Sequence, residues 1–183
     1  VKTKWLYKIT LDKKAKPYAL STPKKVPIPL LNKVQEELDR MGKMGVISKA
    51  DEPTEWCVAM VVVPKPNHMV RICMDLTKLN ESVKRESCQL PSVEESLAKL
   101  ADAKFFTKLD ANLGFWQINL SEESRCLTTF ITPFGRFYFN RLQFEISSTP
   151  EFFQKRMSET LERHGGTLCH MDNVLVFGDA ETA

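Results

Sequence analysis

Apolar positions along this chain change their spacing several times, and each change predicts an element. Over residues 30–44 they recur at helical spacing, with Leu31, Val34, Leu38 and Met41 on one stripe, and Gly45 ends the run. Val46-Ile47 then starts an extended segment. Upstream, residues 5–11 alternate weakly, and Pro17, Pro23, Pro27 and Pro29 follow. This predicts one strand and then an extended arm, because each proline holds its predecessor in extended geometry. Residues 57–75 predict two strands: an apolar run over 58–63 reaches Pro64-Lys65-Pro66-Asn67-His68, and 69–74 comes back.

Ser92 with Glu95 three residues later predicts a capped helix over 93–100. A strand follows over 104–109, then a turn of helix, then a short extended piece at 118–120. Residues 127–139 predict a strand pair around Pro133-Phe134-Gly135-Arg136. Thr149-Pro150 opens a helix with Phe152, Phe153, Met157 and Leu161 on one face, ended by Gly165-Gly166. A hairpin over 168–177 closes the chain, with Asp172-Asn173 as its two-residue turn. A basic hairpin lobe before a β-α-β-β-α-β-β segment predicts an α+β fold whose antiparallel strands carry the acids.

Composition narrows the classes. With 183 residues, 43% of them hydrophobic, the chain has enough apolar material for one or two lobes. The net charge of +3 gives no global polyanion signal, although eight lysines precede Pro27. Five cysteines, odd in number and without CxxC spacing, argue against zinc or a disulfide framework and for an intracellular setting. No apolar run approaches membrane-spanning length and no signal peptide is visible. A start at Val1 and a stop at Ala183 are expected of a piece cut from a longer protein.

The candidate chemistry sits at strand ends. Asp172 and Asn173 lie in the hairpin turn, and Phe105-Phe106-Thr107-Lys108-Leu109-Asp110 reads as a strand ending in a lone carboxylate, followed by Gly114-Phe115-Trp116-Gln117-Ile118. Taken alone, Asp-Asn is an ordinary turn pair. Two strand-end acids far apart in sequence can also converge on divalent metal, as nucleotidyl transfer requires.

Ordered blocks along nearly the whole chain carry a family resemblance. They are Val26-Pro27-Ile28-Pro29-Leu30, Val63-Pro64-Lys65, Val70-Arg71-Ile72-Cys73-Met74-Asp75, Leu79-Asn80, Lys108-Leu109-Asp110, Gly114-Phe115-Trp116-Gln117-Ile118, Thr128-Thr129-Phe130 and Thr132-Pro133-Phe134-Gly135. The chain resembles the reverse transcriptase domain of gypsy-class long-terminal-repeat retroelements and, more distantly, of retroviruses. The resemblance implies a right-hand polymerase layout: an N-terminal arm over 1–29, mainly fingers over 30–95 and mainly palm over 96–183, with the thumb and ribonuclease H regions absent. It implies two magnesium ions held by Asp110 and Asp172, with Asn173 where the family has a third aspartate. Phe115 matches the ring that excludes a 2′-hydroxyl, and Lys65, Arg71, Phe144 and Gln154 match nucleotide contacts. Implied partners are an RNA or DNA template-primer and deoxynucleoside triphosphates.

The chain departs from the family at His170 for an aromatic, Gln143 for a proline, Glu145 for a glycine and Thr149 for an alanine. The expectation is an RNA-directed DNA polymerase domain whose second metal site, and hence catalysis, is weakened. A non-catalytic nucleic-acid-binding module and an inactive relic stay open beside it. Glu145 is expected to press charge on a bound triphosphate unless it turns outward or pairs with Lys65 or Arg71.

Overall fold

The computed structural model describes residues 5–66, 69–85, 98, 100 and 103–179. The helix expected over 93–100 and the Asn67-His68 turn fall almost wholly outside these residues. The described strands, in chain order, are β1 (Leu6–Tyr7), β2 (Ile47–Lys49), β3 (Val58–Pro64), β4 (Val70–Met74), β5 (Phe105–Asp110), β6 (Asn119–Leu120), β7 (Phe130–Thr132), β8 (Gly135–Phe139), β9 (Thr167–His170) and β10 (Asn173–Gly178). The described helices are α1 (Leu31–Lys43), α2 (Thr77–Asn80), α3 (Glu122–Arg125) and α4 (Thr149–Leu161). The fold is α+β. The chain packs as two compact units, one from 1–84 with 116–147 and the other from 85–115 with 148–183.

The first unit is built on a five-stranded sheet in the order β2-β8-β7-β3-β4. β3 lies between β7, to which it runs parallel, and β4, to which it runs antiparallel. Val58, Ala59 and Met60 are buried on both faces, which accounts for the apolar start of the run, and the strand grows more exposed from Val61 to Val63 as it passes beyond β7. Segment 116–147 belongs to this unit because β7 and β8 complete its sheet. Phe130 is fully buried between the rings of Phe137 and Phe139, with centroids at 5.9 and 5.3 Å. Helix α1 buries the expected Val34, Leu38 and Met41, and packs against β2 and β4. Its end is a Schellman motif: Gly45 takes φ 68°, its amide donates to Gly42 and the Val46 amide donates to Met41.

The proline-rich arm is sewn onto this unit rather than left loose. β1 pairs with β6 in parallel, and the Ile9 amide donates to Ser124 Oγ at 2.9 Å. Bridges join Leu11 to Val83 and Ala19 to Cys57, and Lys24 pairs with Asp75 at 3.2 Å.

The second unit is the antiparallel sheet β5-β10-β9 with α4 packed on β9. Gly166, between α4 and β9, takes φ 71°, and its carbonyl accepts from the Phe177 amide at 2.7 Å. A Cβ there would lie 2.4 Å from the Phe177 carbonyl oxygen, so the position tolerates only glycine.

Candidate active site

Pairing of β5 with β10 sets Asp110, the last residue of β5, opposite Asn173, the first of β10. The contact continues one residue further, as the Ala111 amide donates to the Asp172 carbonyl at 2.7 Å. Opposed residues in an antiparallel ladder have Cα atoms about 4.5–5.5 Å apart. Asp110 and Asp172 therefore leave the backbone at one corner of the sheet, although the chain between them makes an excursion through the other unit.

The hairpin turn differs by one residue from the expected one. Asn173 pairs with His170, so Met171 and Asp172 form the turn and Asn173 already belongs to β10. Met171 takes φ 53°, a conformation that costs a residue with a side chain roughly 1–2 kcal/mol. A buried amide from α4 holds it there. Gln154, only 1% exposed, accepts from the Met171 amide through Oε1 at 2.7 Å and donates from Nε2 to the Cys169 carbonyl at 3.0 Å. Turn preference pointed to Asp-Asn; the Gln154 clamp selects Met-Asp.

Gln154 bonds the hairpin backbone on either side of exposed His170, and its Nε2 also donates to Ser158 Oγ at 3.2 Å and Cys169 Sγ at 3.3 Å. Asn173 Nδ2 donates to Asp172 Oδ1 at 3.0 Å, so this amide presents a donor to the carboxylate where a third acid would present an oxygen. Phe115 stacks on Phe153 of α4 with centroids 4.3 Å apart and planes at 28°. A Cβ on the preceding Gly114 would meet Phe153 Cζ at 2.8 Å, which explains glycine there as a demand of packing.

The remaining predicted residues lie in the first unit. Lys65 is exposed just after β3, its amide donating to the Met69 carbonyl at 2.8 Å. Arg71 lies over the half-exposed Phe144 ring at 4.5 Å, a cation–π arrangement. Glu145 turns inward to β4, where Oε2 accepts from the Met74 amide at 3.2 Å. Burial pushes its carboxyl up, against the lowering effects of the Met74 amide, the Cys73 thiol and Arg71. Glu145 thus makes an internal bond to β4 while its carboxylate stays close enough to Arg71 to feel its charge.

Sequence reasoning did not find the roles of Phe153 and Asn80. Phe153 read only as helix core. Asn80 donates to the Glu145 carbonyl at 2.9 Å and accepts from the Ser147 amide at 2.8 Å, a bracket invisible without the fold. For Gln154 a signal existed: an amide next to Phe153 on the apolar side of a helix needs a buried partner.

The donor chemistry at the sheet corner suits a small hard cation. Carboxylate and carbonyl oxygens are the ligands magnesium and manganese take. No cluster of three or more His, Cys, Asp or Glu able to hold a metal occurs among the described residues. Among the described residues, Asp110 and Asp172 are carboxylates that the β5–β10 pairing brings to that corner.

Residues 63–183 match the model of the family described as reverse transcriptase (RNA-dependent DNA polymerase), and the chain belongs to that family. Among its relatives is the retrovirus-related Pol polyprotein from transposon opus of Drosophila melanogaster, 30% identical over 88% of this chain and 16% of the relative. The Pol polyprotein from transposon gypsy of the same species is 32% identical over 81% of this chain and 15% of its own length. The enzymatic polyprotein of cauliflower mosaic virus (strain Strasbourg) is 31% identical over 61% of this chain and 16% of its own. The chain thus spans about a sixth of the length of these relatives. In fold it is similar to prototype foamy virus protease-reverse transcriptase, with a TM-score of 0.81 at 20% identity over 93% of this chain and 23% of that one. The foamy viral enzyme in complex with an RNA/DNA hybrid gives 0.78 at 20% identity, over 92% of this chain and 22% of that one.

Proposed function

We propose that this chain is the nucleotidyl-transfer part of an RNA-directed DNA polymerase of a gypsy-like retroelement, with weakened catalysis. The observation that carries the reading is the pairing of β5 with β10, which brings Asp110 to the Met171-Asp172 turn. In this reading Asp110 and Asp172 hold magnesium, and bound divalent cations would supply charge neutralisation at the triphosphate and activation of the primer hydroxyl. Gln154 fixes the turn that carries Asp172. Phe115, backed by Phe153, is the ring that meets the sugar. In the first unit, Lys65, Arg71 and Phe144 are nucleotide contacts, the two cations serving phosphate and the ring a base or sugar. The partners are a template-primer and deoxynucleoside triphosphates. The names fingers for 30–95 and palm for 96–183, and an intracellular setting, belong to the same proposal. Among the described residues no helix is long and apolar enough to cross a membrane.

The weakening follows from Asn173. An amide that donates to Asp172 both lacks a charge and occupies an acceptor site on the remaining acid. Two dications at close range need that charge, so the second is held poorly. The test is calorimetric titration with manganese and magnesium alongside primer extension on an RNA template. Asn173→Asp is expected to tighten manganese binding about tenfold, a gain near 1.4 kcal/mol, the size one added unit charge provides to a dication about 6 Å away in a water-like dielectric. Asp110→Asn is expected to abolish both binding and extension. Extension that survives Asp110→Asn would overturn the assignment of the site, and equal metal affinity in Asn173→Asp would overturn the account of its weakness.

A further inference from the structure

Segment 142–147 is anchored from both sides of Glu145. Leu142, Gln143 and Ile146 are buried, and Asn80 at the end of α2 holds the backbone at Glu145 and Ser147. With its backbone fixed, the Glu145 side chain reaches β4, the outer strand of the five-stranded sheet. An outer strand has amides that no further strand satisfies. The Met74 amide is one of them, and Glu145 Oε2 accepts from it at 3.2 Å. The next residue of the segment toward the N-terminus, Phe144, lies under the Arg71 guanidinium of the same strand at 4.5 Å. Two neighbouring side chains of the segment thus grip two positions of β4, and the grip puts a carboxylate in the neighbourhood of a cation.

We propose that Glu145 is a positioning residue that closes the outer edge of β4 and sets the charge Arg71 offers to a polyphosphate. The inference rests on the reading of Arg71 as a phosphate contact. Arg71 lies over the ring that borders Glu145, and any anion approaching it is partly repelled by the same carboxylate. The resemblance places glycine at this position, and glycine would leave both the Met74 amide and the full charge of Arg71 open. The substitution is therefore a trade: a braced strand edge in exchange for weaker anion capture. The environment of Cys73 agrees with this, since burial and its bond to Glu145 push the thiol up to about 11.

The test uses the whole chain and inorganic triphosphate as the probe, titrated calorimetrically at low salt. Glu145→Gln retains an acceptor for the Met74 amide while removing the charge. It is expected to bind triphosphate about thirtyfold tighter, the size of one unit-charge pair acting at roughly 8 Å through an effective dielectric of about 20. The gain should shrink in 0.5 M salt, where screening lengths fall to about 4 Å. Adding Arg71→Ala should remove it. Iodoacetamide labelling of Cys73 at pH 8 supplies a readout independent of any ligand: it should quicken in Glu145→Gln, and more in Glu145→Gly, which also unbraces the edge. If Arg71→Ala weakens triphosphate binding but Glu145→Gln does not strengthen it, the inference fails while the Arg71 reading stands. If Arg71→Ala has no effect in either background, the Arg71 reading fails and the inference with it. Unchanged Cys73 labelling in both Glu145 variants would overturn the brace.

Discussion

Replacing Gln154 with leucine separates the clamp from ordinary core filling. Leucine has similar bulk, so a residue that is 1% exposed is exchanged without opening a large cavity. What is lost is the acceptor for the Met171 amide at 2.7 Å and the donor to the Cys169 carbonyl at 3.0 Å. Each orphaned backbone group costs about 1–3 kcal/mol, and the added apolar burial of leucine returns about 1–2 kcal/mol. Met171 at φ 53° also loses the bond that holds it in that conformation. The net expectation is a loss of about 2–3 kcal/mol, which lowers the melting temperature of a chain this size by roughly 4–12 °C. The loss should be local as well. Hydrogen exchange at the Met171 amide is expected to accelerate about a hundredfold, the rate equivalent of ~2.7 kcal/mol. Thermal denaturation and exchange monitored by mass spectrometry or NMR give the two numbers. A Gln154→Leu protein that melts within about 1 °C of the parent, with Met171 exchange unchanged, would show that the hairpin sets its own turn and that the clamp is incidental.

Three further outcomes are expected. Gly114→Ala puts a methyl 2.8 Å from Phe153 Cζ and 3.2 Å from Ala111 Cβ, and should cost about 1–3 kcal/mol in denaturant unfolding; Phe153→Leu in the same chain should recover part of that loss, and strict additivity would contradict the contact. Phe115→Val, made in a background with restored metal binding, should raise the use of ribonucleotides relative to deoxynucleotides by at least tenfold in single-nucleotide extension, whereas unchanged selectivity would assign the ring to packing on Phe153 alone. Glu145 gives a pH dependence: its folded carboxyl lies above the ordinary 4.5 because burial disfavours the charged form. Its neutral form thus stabilises the fold below that ordinary value, and the contribution is lost as pH rises through the folded one. Glu145→Gln should accordingly melt above the parent at pH 7–8, with the difference closing below about pH 4 in melts across that range.

The elements that local chemistry decides were legible in the chain. Helix α1 follows from Val34, Leu38 and Met41 at helical spacing and from Gly45 after its end; the β3–β4 hairpin follows from two apolar runs around a proline-rich loop. Asp110 and Asp172 were legible as strand-end acids because short apolar strands announce their limits. Such signals involve neighbours a few residues apart, and the sequence holds all the atoms concerned.

The rest depends on partners that sequence order does not name. Parallel pairing of β3 with β7 and of β1 with β6, and the return of 116–147 to the first unit, arise from strand edges satisfied across long separations. Local preference even pointed one residue astray at the hairpin, where Asp-Asn is the better turn pair by composition. A single amide on α4, bonded on both sides of His170, outweighs that preference by the several kcal/mol that two orphaned backbone groups would cost. Glu145 shows the same limit in reverse: its charge was plain from the sequence, but the direction it faces was set by an unsatisfied amide on the outer edge of β4. Spacing and composition determine which segments become helix or strand; which polar groups are left needing a partner, and which side chain supplies it, exists only once the strands are assembled.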